Sequence, residues 1–176
     1  MRPLDGIKVL DLSRVLAGPF AGRILHDLGA EVVKVEPPEG DVTRNWGKVR
    51  AGLAGYYTQQ NVGKQNVCID LSVKGGPEIV RQLAARADVL IENFRPGVMQ
   101  KYELGYEDLA QINPKLVMLS ISGFGQDGPE SERAAYAPIL HAESGWLERS
   151  AGWNETSLAD LNLSAADTNA SLHGTI

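Results

Sequence analysis

The sequence predicts an α/β fold, a Rossmann-like and mainly parallel sheet flanked by helices. Short apolar runs rich in strand-forming residues alternate with segments in which apolar residues recur at helical spacing. The connections between these runs are long enough to return the chain to a parallel neighbour. The 176 residues are 43% hydrophobic and 22% charged, which provides enough apolar material for one domain with its own core.

The first strand–helix–strand unit opens the chain. Residues 7–12 form an apolar run that predicts a strand, and a turn follows over residues 13–18. Pro19 suits the first position of a helix, and Gly29 suits the position just after its end. Residues 31–36 predict a second strand, which a pair of prolines ends abruptly. The connection between the two strands fits a parallel pair.

The remaining elements continue this alternation. Residues 42–65 are polar and show little periodicity, so we expect a long excursion over the surface. Further strands are expected over residues 66–71, 88–93 and 116–122, and helices from Pro77, near 98–102, 106–112 and 136–146, and around Asp167. The last residues resemble the middle of a helix, so we expect a fragment whose sheet domain is incomplete without a C-terminal part.

The carboxyl ends of the predicted strands indicate where a ligand would bind. Parallel sheets bind ligands beyond these ends. In this sequence the ends are followed by turns or glycine-containing loops over residues 13–18, 36–41, 93–97 and 123–128. We therefore expect the functional site at this edge of the sheet.

Composition excludes several classes of function. A net charge of −5 argues against nucleic-acid binding. No run approaches the roughly 20 apolar residues of a membrane span, and the first residues lack the apolar stretch of a signal peptide. Three scattered histidines and one cysteine give no metal-ligand spacing, so no metal site is expected. Cys68 is expected to be a buried structural thiol, and a single cysteine suits a reducing, cytoplasmic location.

The segment Leu163-Ser164-Ala165-Ala166-Asp167-Thr168-Asn169 carries the clearest candidate for chemistry. It places the Asp167 carboxylate at the predicted start of a helix, where negative charge is favoured. Its small neighbours leave room for a bulky substrate, and an accessible carboxylate can act as a nucleophile toward an acyl group. The alternative is structural, since aspartate is also a preferred helix N-cap.

The first unit also has features of a dinucleotide-binding half. A glycine-containing turn joins the strand to the helix, and Glu36 closes the second strand where a ribose-binding acid belongs. The turn lacks the G-x-G-x-x-G pattern, however, and Pro19 removes one amide donor from the helix start. A nicotinamide-cofactor site is therefore the weaker interpretation of this unit.

An ordered series of short motifs runs through almost the whole chain. The series consists of Asp11-Leu12-Ser13, Ala17-Gly18-Pro19, residues 27–36, 38–41, 61–64, 69–71 and 88–97, Asn113-Pro114, residues 122–125 with Gly128-Pro129, Ala135-Tyr136 and residues 166–169. It resembles the N-terminal part of the family III CoA-transferases. This group includes formyl-CoA transferase and carnitine CoA-transferase, and 2-methylacyl-CoA racemase is a relative.

The resemblance implies a fold, an activity and an assembly. Residues 1–176 would be the N-terminal portion of the large domain of a longer chain, which forms an interlocked homodimer. The activity would be transfer of CoA between an acyl-CoA and a free carboxylic acid, with CoA and acyl-CoA as substrates and no permanently bound cofactor. Asp167 would be the covalent nucleophile, and the fragment alone would be inactive because the family's glycine-rich loop over this aspartate belongs to the C-terminal half.

The resemblance also implies positions for CoA and for the substrate. The CoA-binding residues would be Leu16, Ala17, Ile69, Asp70, Leu71, Ser72, Asn93, Phe94, Arg95 and Lys101. Tyr136 would lie in the substrate pocket, at the position where the racemase branch has a catalytic histidine. Because a phenol is a poor substitute and His141 would face another direction, transferase is favoured over racemase or epimerase. A non-catalytic CoA-binding fragment is the third alternative.

Overall fold

The computed structural model describes residues 1–154, 157–160 and 163–176. Its strands are β1 (Lys8–Asp11), β2 (Glu31–Glu36), β3 (Val49–Arg50), β4 (Leu53–Ala54), β5 (Gln65–Cys68), β6 (Val89–Glu92) and β7 (Val117–Ser120). Its helices are α1 (Ala17–Asp27), α2 (Gly55–Asn61), α3 (Gly76–Ala84), α4 (Val98–Lys101), α5 (Tyr106–Ile112), α6 (Ala137–Glu143), α7 (Trp146–Asn154) and α8 (Ala165–Gly174). A 3-10 turn covers Val42–Asn45.

The main sheet confirms the predicted α/β class. Five parallel strands lie in the order β5-β2-β1-β6-β7, and β3 and β4 form a small antiparallel hairpin apart from them. From the central β1, the chain first adds β2 and β5 on one side and then β6 and β7 on the other. The strand order reverses between β1 and β6, and such a reversal opens a crevice at the carboxyl edge of a sheet.

Alternating side chains of the central strands build a core on each face of the sheet. Val9 and Ile91 belong to one buried cluster, while Leu10 and Leu90 belong to another on the opposite face. Both faces are therefore covered, as the near-continuous apolar runs of these strands require. None of the helices in the described ranges has the length and apolar character to cross a bilayer.

Residues 42–65 differ from the irregular excursion that we expected. They contain the 3-10 turn, the hairpin and α2, and Thr43, Gln60 and Asn61 are buried. The Asp41 side chain caps the turn by accepting a hydrogen bond from the Thr43 backbone N–H at 3.0 Å. These elements are short and anchored by polar groups, so they leave no hydrophobic periodicity in the sequence.

Three local expectations were wrong. Helix α1 begins at Ala17, so Pro19 is its third residue and not its first. The helix expected over residues 136–146 ends at Glu143 as α6, and a further helix that we did not expect, α7, begins at Trp146. Cys68 is exposed, because β5 is an edge strand whose side chains are mostly uncovered.

Candidate functional site

A cavity of about 290 Å³ opens at the carboxyl edge of the sheet, where the strand order reverses. The loop between β1 and α1 forms one wall, and the segments after β6 and β7 form the floor. Helices α6 and α8 close the other side. Its position agrees with the edge that the sequence indicated, and Asp167 is the carboxylate that lines it.

Asp167 lies in the first turn of α8, as its third residue, and is half-buried. The N-cap position belongs to Ser164, so Asp167 does not have the capping role that was its structural alternative. The Ala17 backbone N–H, at the start of α1, lies near enough to the Asp167 carboxyl group to favour its charged form. The Ser171 hydroxyl ties the two helices together, because it donates to the backbone oxygen of Asp167 at 2.8 Å and to that of Ala17.

Burial raises the pKa of the Asp167 carboxyl group above its ordinary value of 3.8. Its own backbone N–H, the electrostatic influence of His141 and the Ala17 N–H act in the opposite direction but do not outweigh burial. Tyr56 lies within electrostatic reach, and the pKa of its phenol is raised by burial and by the charge of Asp167. The site therefore holds a poorly solvated carboxylate, which is more basic than one in water.

The loop that carries Ala17 is held in an unusual conformation. Val15 has a φ of 68°, in the left-handed region that a β-branched residue rarely adopts. Asn93, just after β6, accepts from the Arg14 backbone N–H at 2.7 Å and donates to the Arg14 carbonyl at 2.8 Å. The Asp41 carboxylate accepts from the Val15 N–H at 3.1 Å, and Lys34 donates to the Ser13 carbonyl at 2.6 Å. Side chains from three other segments thus fix this wall of the cavity.

Four buried charges lie beneath the loop. Lys64 Nζ is 2.8 Å from Asp11 Oδ2, and Lys34 Nζ is 3.5 Å from Asp41 Oδ2, with all four side chains at most 1% exposed. Burial by itself would raise the pKa of Asp11, but Lys64 and Lys34 outweigh it and hold that pKa below its ordinary value. Gly22 permits this packing, because a Cβ there would lie 2.9 Å from Asp11 Oδ2.

A second cavity, of about 370 Å³, lies beside the first. Arg14 and Phe94 line both cavities, and the Arg14 guanidinium lies 5.4 Å from the centre of the Phe94 ring. Asp70 shapes the wall of the second cavity, because its carboxylate accepts from the backbone N–H and the hydroxyl of Ser72. The two cavities together form a cleft along the carboxyl edge of the sheet.

The structure brings most of the predicted site residues to this cleft. The first cavity is lined by Ala17, Asn93, Phe94, Arg95, Tyr136 and Asp167, and the second by Ile69, Asp70, Leu71, Ser72 and Phe94. Two predicted residues do not line either cavity. Leu16 is a buried residue at the end of the loop, and Lys101 is an exposed residue of α4 with its Nζ 5.5 Å from the Tyr102 ring centre.

Sequence reasoning missed several residues of the site. Arg14 and Val15 line the first cavity. They fall inside the turn over residues 13–18, which the sequence placed at the site without assigning a function to either residue. Arg133 follows the glycine-containing loop after β7 and also lines the first cavity. No local sequence pattern indicates Tyr56 as a site residue, because only the folded chain brings it within electrostatic range of Asp167. The described residues contain no cluster of side chains suited to hold a metal ion.

Comparisons with known proteins agree with this architecture. The sequence pattern that defines CoA-transferase family III matches residues 4–176 of the chain. The chain is 47% identical to human succinyl-CoA:glutarate CoA-transferase over 84% of its own length and 34% of that protein. It is 48% identical to succinate–glutarate CoA-transferase of Agrobacterium fabrum, covering 82% of the chain and 38% of that relative.

Solved structures show the same similarity. A CAIB/BAIF family protein from Brucella suis superposes with a TM-score of 0.90 at 43% identity, over 99% of this chain and 47% of that one. Rv3272 from Mycobacterium tuberculosis superposes with a TM-score of 0.90 at 36% identity, over 99% and 49% of the two chains. The chain therefore spans about a third of these curated relatives and about half of these solved chains.

Proposed function

We propose, from the premise that this chain belongs to CoA-transferase family III, that its protein moves CoA between an acyl-CoA and a free carboxylic acid. Asp167 is the covalent nucleophile in this proposal. Residues 1–176 are the N-terminal portion of the large domain of a longer chain, and the transfer requires the remainder of that chain. The interlocked homodimer and the cytoplasmic location stay predictions.

The observation that carries the proposal is the setting of Asp167. Its carboxyl group lines a cavity at the carboxyl edge of the sheet, is half-buried, and lies near the Ala17 N–H, which favours its charged form. Partial burial removes water that would otherwise solvate the carboxylate and hydrolyse an activated acyl group. The same setting allows a thioester to reach the carboxylate from the open cavity.

The proposed reaction exchanges acyl groups without water. The Asp167 carboxylate attacks the thioester carbonyl of the donor, the C–S bond breaks, and a mixed anhydride and CoA thiolate result. The thiolate attacks the Asp167 carbonyl, which releases the donor acid and leaves an Asp167–CoA thioester. The acceptor carboxylate attacks this thioester to form a second anhydride and free thiolate. The thiolate then attacks the acceptor carbonyl, which gives the new acyl-CoA and restores the Asp167 carboxylate.

The cleft supports a placement for CoA. Its thioester end would enter the first cavity, toward Asp167, and the rest of the molecule would lie along the second cavity. The Phe94 ring, between the two cavities, offers an apolar face to the pantetheine arm, and the Arg14 guanidinium beside it offers positive charge to phosphate. The names of the two curated relatives, which pair succinyl-CoA or succinate with glutarate, support a CoA thioester and a carboxylic acid as substrates.

The racemase alternative is not favoured. Tyr136 stands where that branch has its histidine, and its phenol lines the cavity with 74% of the residue exposed. An exposed phenol is a weak acid–base partner near neutral pH. His141 is buried and is not among the residues that line the cavity.

Trapping the intermediate tests the proposal. The longest natural protein that contains this chain is incubated with candidate acyl-CoAs, treated with hydroxylamine or borohydride, and digested for mass spectrometry. We expect modification of Asp167, loss of that adduct in Asp167→Asn, and an unchanged adduct in Asp127→Asn, which alters an exposed carboxylate in the loop after β7. CoA binding without any adduct would support the non-catalytic alternative, and an adduct on another residue would overturn the assignment of Asp167.

A further inference from the structure

Helix α8 begins against a buried histidine that the proposed mechanism does not use. His141, on α6, is only 1% exposed. Its Nε2 lies 3.2 Å from the backbone nitrogen of Ala166, and its Nδ1 lies 3.1 Å from Asp160 Oδ1. The Trp146 ring packs edge-on against the imidazole, with 5.5 Å between ring centres. The imidazole is therefore held on both nitrogen atoms and on one side of its ring.

These contacts define which nitrogen carries the proton when the ring is neutral. A backbone N–H can only donate, so Nε2 accepts from Ala166 and carries no proton. The proton of the neutral ring then lies on Nδ1, which donates it to the Asp160 carboxylate. Protonation of Nε2 would break the contact with Ala166.

The first turn of α8 needs such an acceptor. The first N–H groups of a helix have no partner within it, and an N-cap side chain usually accepts from one of them. Ser164 occupies the N-cap position of α8 but makes no side-chain capping bond. His141 supplies an acceptor from another helix instead, and the N–H that it binds belongs to the residue just before Asp167.

We propose that His141 is a positioning residue, which caps the first turn of α8 and so aims the Asp167 carboxylate at the Ala17 N–H and the cavity. The assignment rests on the proposed function of Asp167. His141 is not among the residues that line the cavity, so it touches no reacting atom. The role requires the Nε2 acceptor, whereas the Nδ1 donor only orients the ring.

Two substitutions separate these functions of the ring. In His141→Gln the amide oxygen reaches the position of Nε2 and can still accept from Ala166. In His141→Asn the shorter side chain reaches only the position of Nδ1. Measured in the longest natural protein, we expect His141→Gln to form the Asp167 adduct within a few-fold of the wild-type rate. We expect His141→Asn to lose about 10- to 100-fold in kcat with little change in the KM for acyl-CoA.

The ranking of the two variants decides the matter. Equal rates for both, or a faster His141→Asn, would overturn the positioning role. A wild-type protein that forms no adduct at all would defeat the proposed function instead. A second measurement is independent of activity and of the variants: in the ¹⁵N spectrum of the wild-type protein, with the ring assigned through its correlations to the backbone of residue 141, the neutral His141 ring should carry its proton on Nδ1 and not on Nε2. Protonation on Nε2 would overturn the capping geometry even if neither variant folds.

Discussion

The two sides of the first cavity are built differently. On the loop side, residues 13–16 are fixed by buried charges and an amide, so that the backbone groups of Ser13, Arg14 and Val15 each meet a side chain from another segment. On the helix side, α6 and α8 hold Asp167 through small residues, the Ser171 hydroxyl and one histidine. Large apolar side chains nearby stay exposed, among them Trp153 and Leu163. The backbone of this site is therefore bonded to distant side chains at more points on the loop side than on the helix side.

The pKa values of the carboxyl groups also differ between the loop side and the helix side of the cavity. Burial by itself would raise the pKa of Glu36, but hydrogen bonds from Arg44, Tyr57 and the Asp41 backbone N–H lower it to about 2. Asp167 has fewer partners, and burial raises its pKa. Carboxylates beneath the loop are thus stabilised in their charged form and contribute to the fold. The carboxylate in the cavity is destabilised in its charged form, which suits a nucleophile.

The largest expected effect comes from breaking the ion pairs of the loop side. Lys64→Met leaves the Asp11 carboxylate buried without the cation that pairs with it, and it also removes donors to Pro19 and Asn61. We expect the free energy of unfolding to fall by about 3–5 kcal/mol. Urea denaturation measures this loss. Lys74→Met, at an exposed position, is the matched control and should change the midpoint little; a similar midpoint for both variants would contradict the role of the network.

A smaller effect is expected at Glu36, with a defined pH dependence. Its pKa is lower in the folded protein than the ordinary 4.5, so its contribution is complete above that value and is lost as the pH falls toward about 2. At neutral pH we expect Glu36→Gln to lose about 1–3 kcal/mol of stability. Urea midpoints of the two proteins should converge as the pH is lowered through this window. Glu39→Gln, at an exposed neighbouring position, should show no such convergence, and a Glu36→Gln deficit that persists at the acid end would count against the assignment.

The pKa of Asp167 is shifted in the opposite direction from that of Glu36. Because its pKa is raised, the carboxylate forms only at pH values above the ordinary 3.8, and adduct formation should increase with pH as it ionises. The groups that influence its charge are Tyr56, His141, its own backbone N–H and the Ala17 N–H. Single-turnover rates of adduct formation, measured across the acid range, would locate the pH at which the rate rises. A rise in this rate centred at or below pH 3.8 would show that the carboxylate is well solvated.

The smallest effect concerns the strain in the loop. Val15 has a left-handed φ, which costs a residue other than glycine about 1–2 kcal/mol. Val15→Gly removes that strain but adds freedom to the unfolded chain, so we expect a gain of no more than about 1 kcal/mol. Ala51→Gly, at φ 50° in an exposed turn, should stabilise similarly. Only Val15→Gly should slow adduct formation, because it loosens the wall that holds the Ala17 N–H. Equal effects of the two variants on that rate would show that the loop conformation has no part in the site.

The sequence predicted the parts of the molecule that depend on periodicity and order. Alternation of strands and helices sufficed for the parallel sheet, and the strand ends located the cavity edge. The ion pairs could not be predicted from the sequence. Asp11 and Lys64 are 53 residues apart, and a pair of charged residues produces no periodic pattern. Cys68 was misjudged because the apolar character of a strand does not reveal that it lies at the sheet edge. His141 was dismissed on its helical direction, and its contact with α8 depends on how two separate helices pack.

Transfer of oxygen from the acceptor acid to Asp167 distinguishes a covalent aspartyl mechanism from one in which Asp167 forms no bond to the substrate. In the proposed cycle, an acceptor acid labelled with ¹⁸O in both carboxylate oxygens attacks the Asp167–CoA thioester through one of them. The final step releases the acceptor acyl group to CoA and leaves that oxygen on Asp167. After repeated turnover we expect ¹⁸O in the Asp167 carboxyl group, located by mass spectrometry of the peptide that contains it. Active transfer that leaves Asp167 unlabelled would show that Asp167 is not the nucleophile.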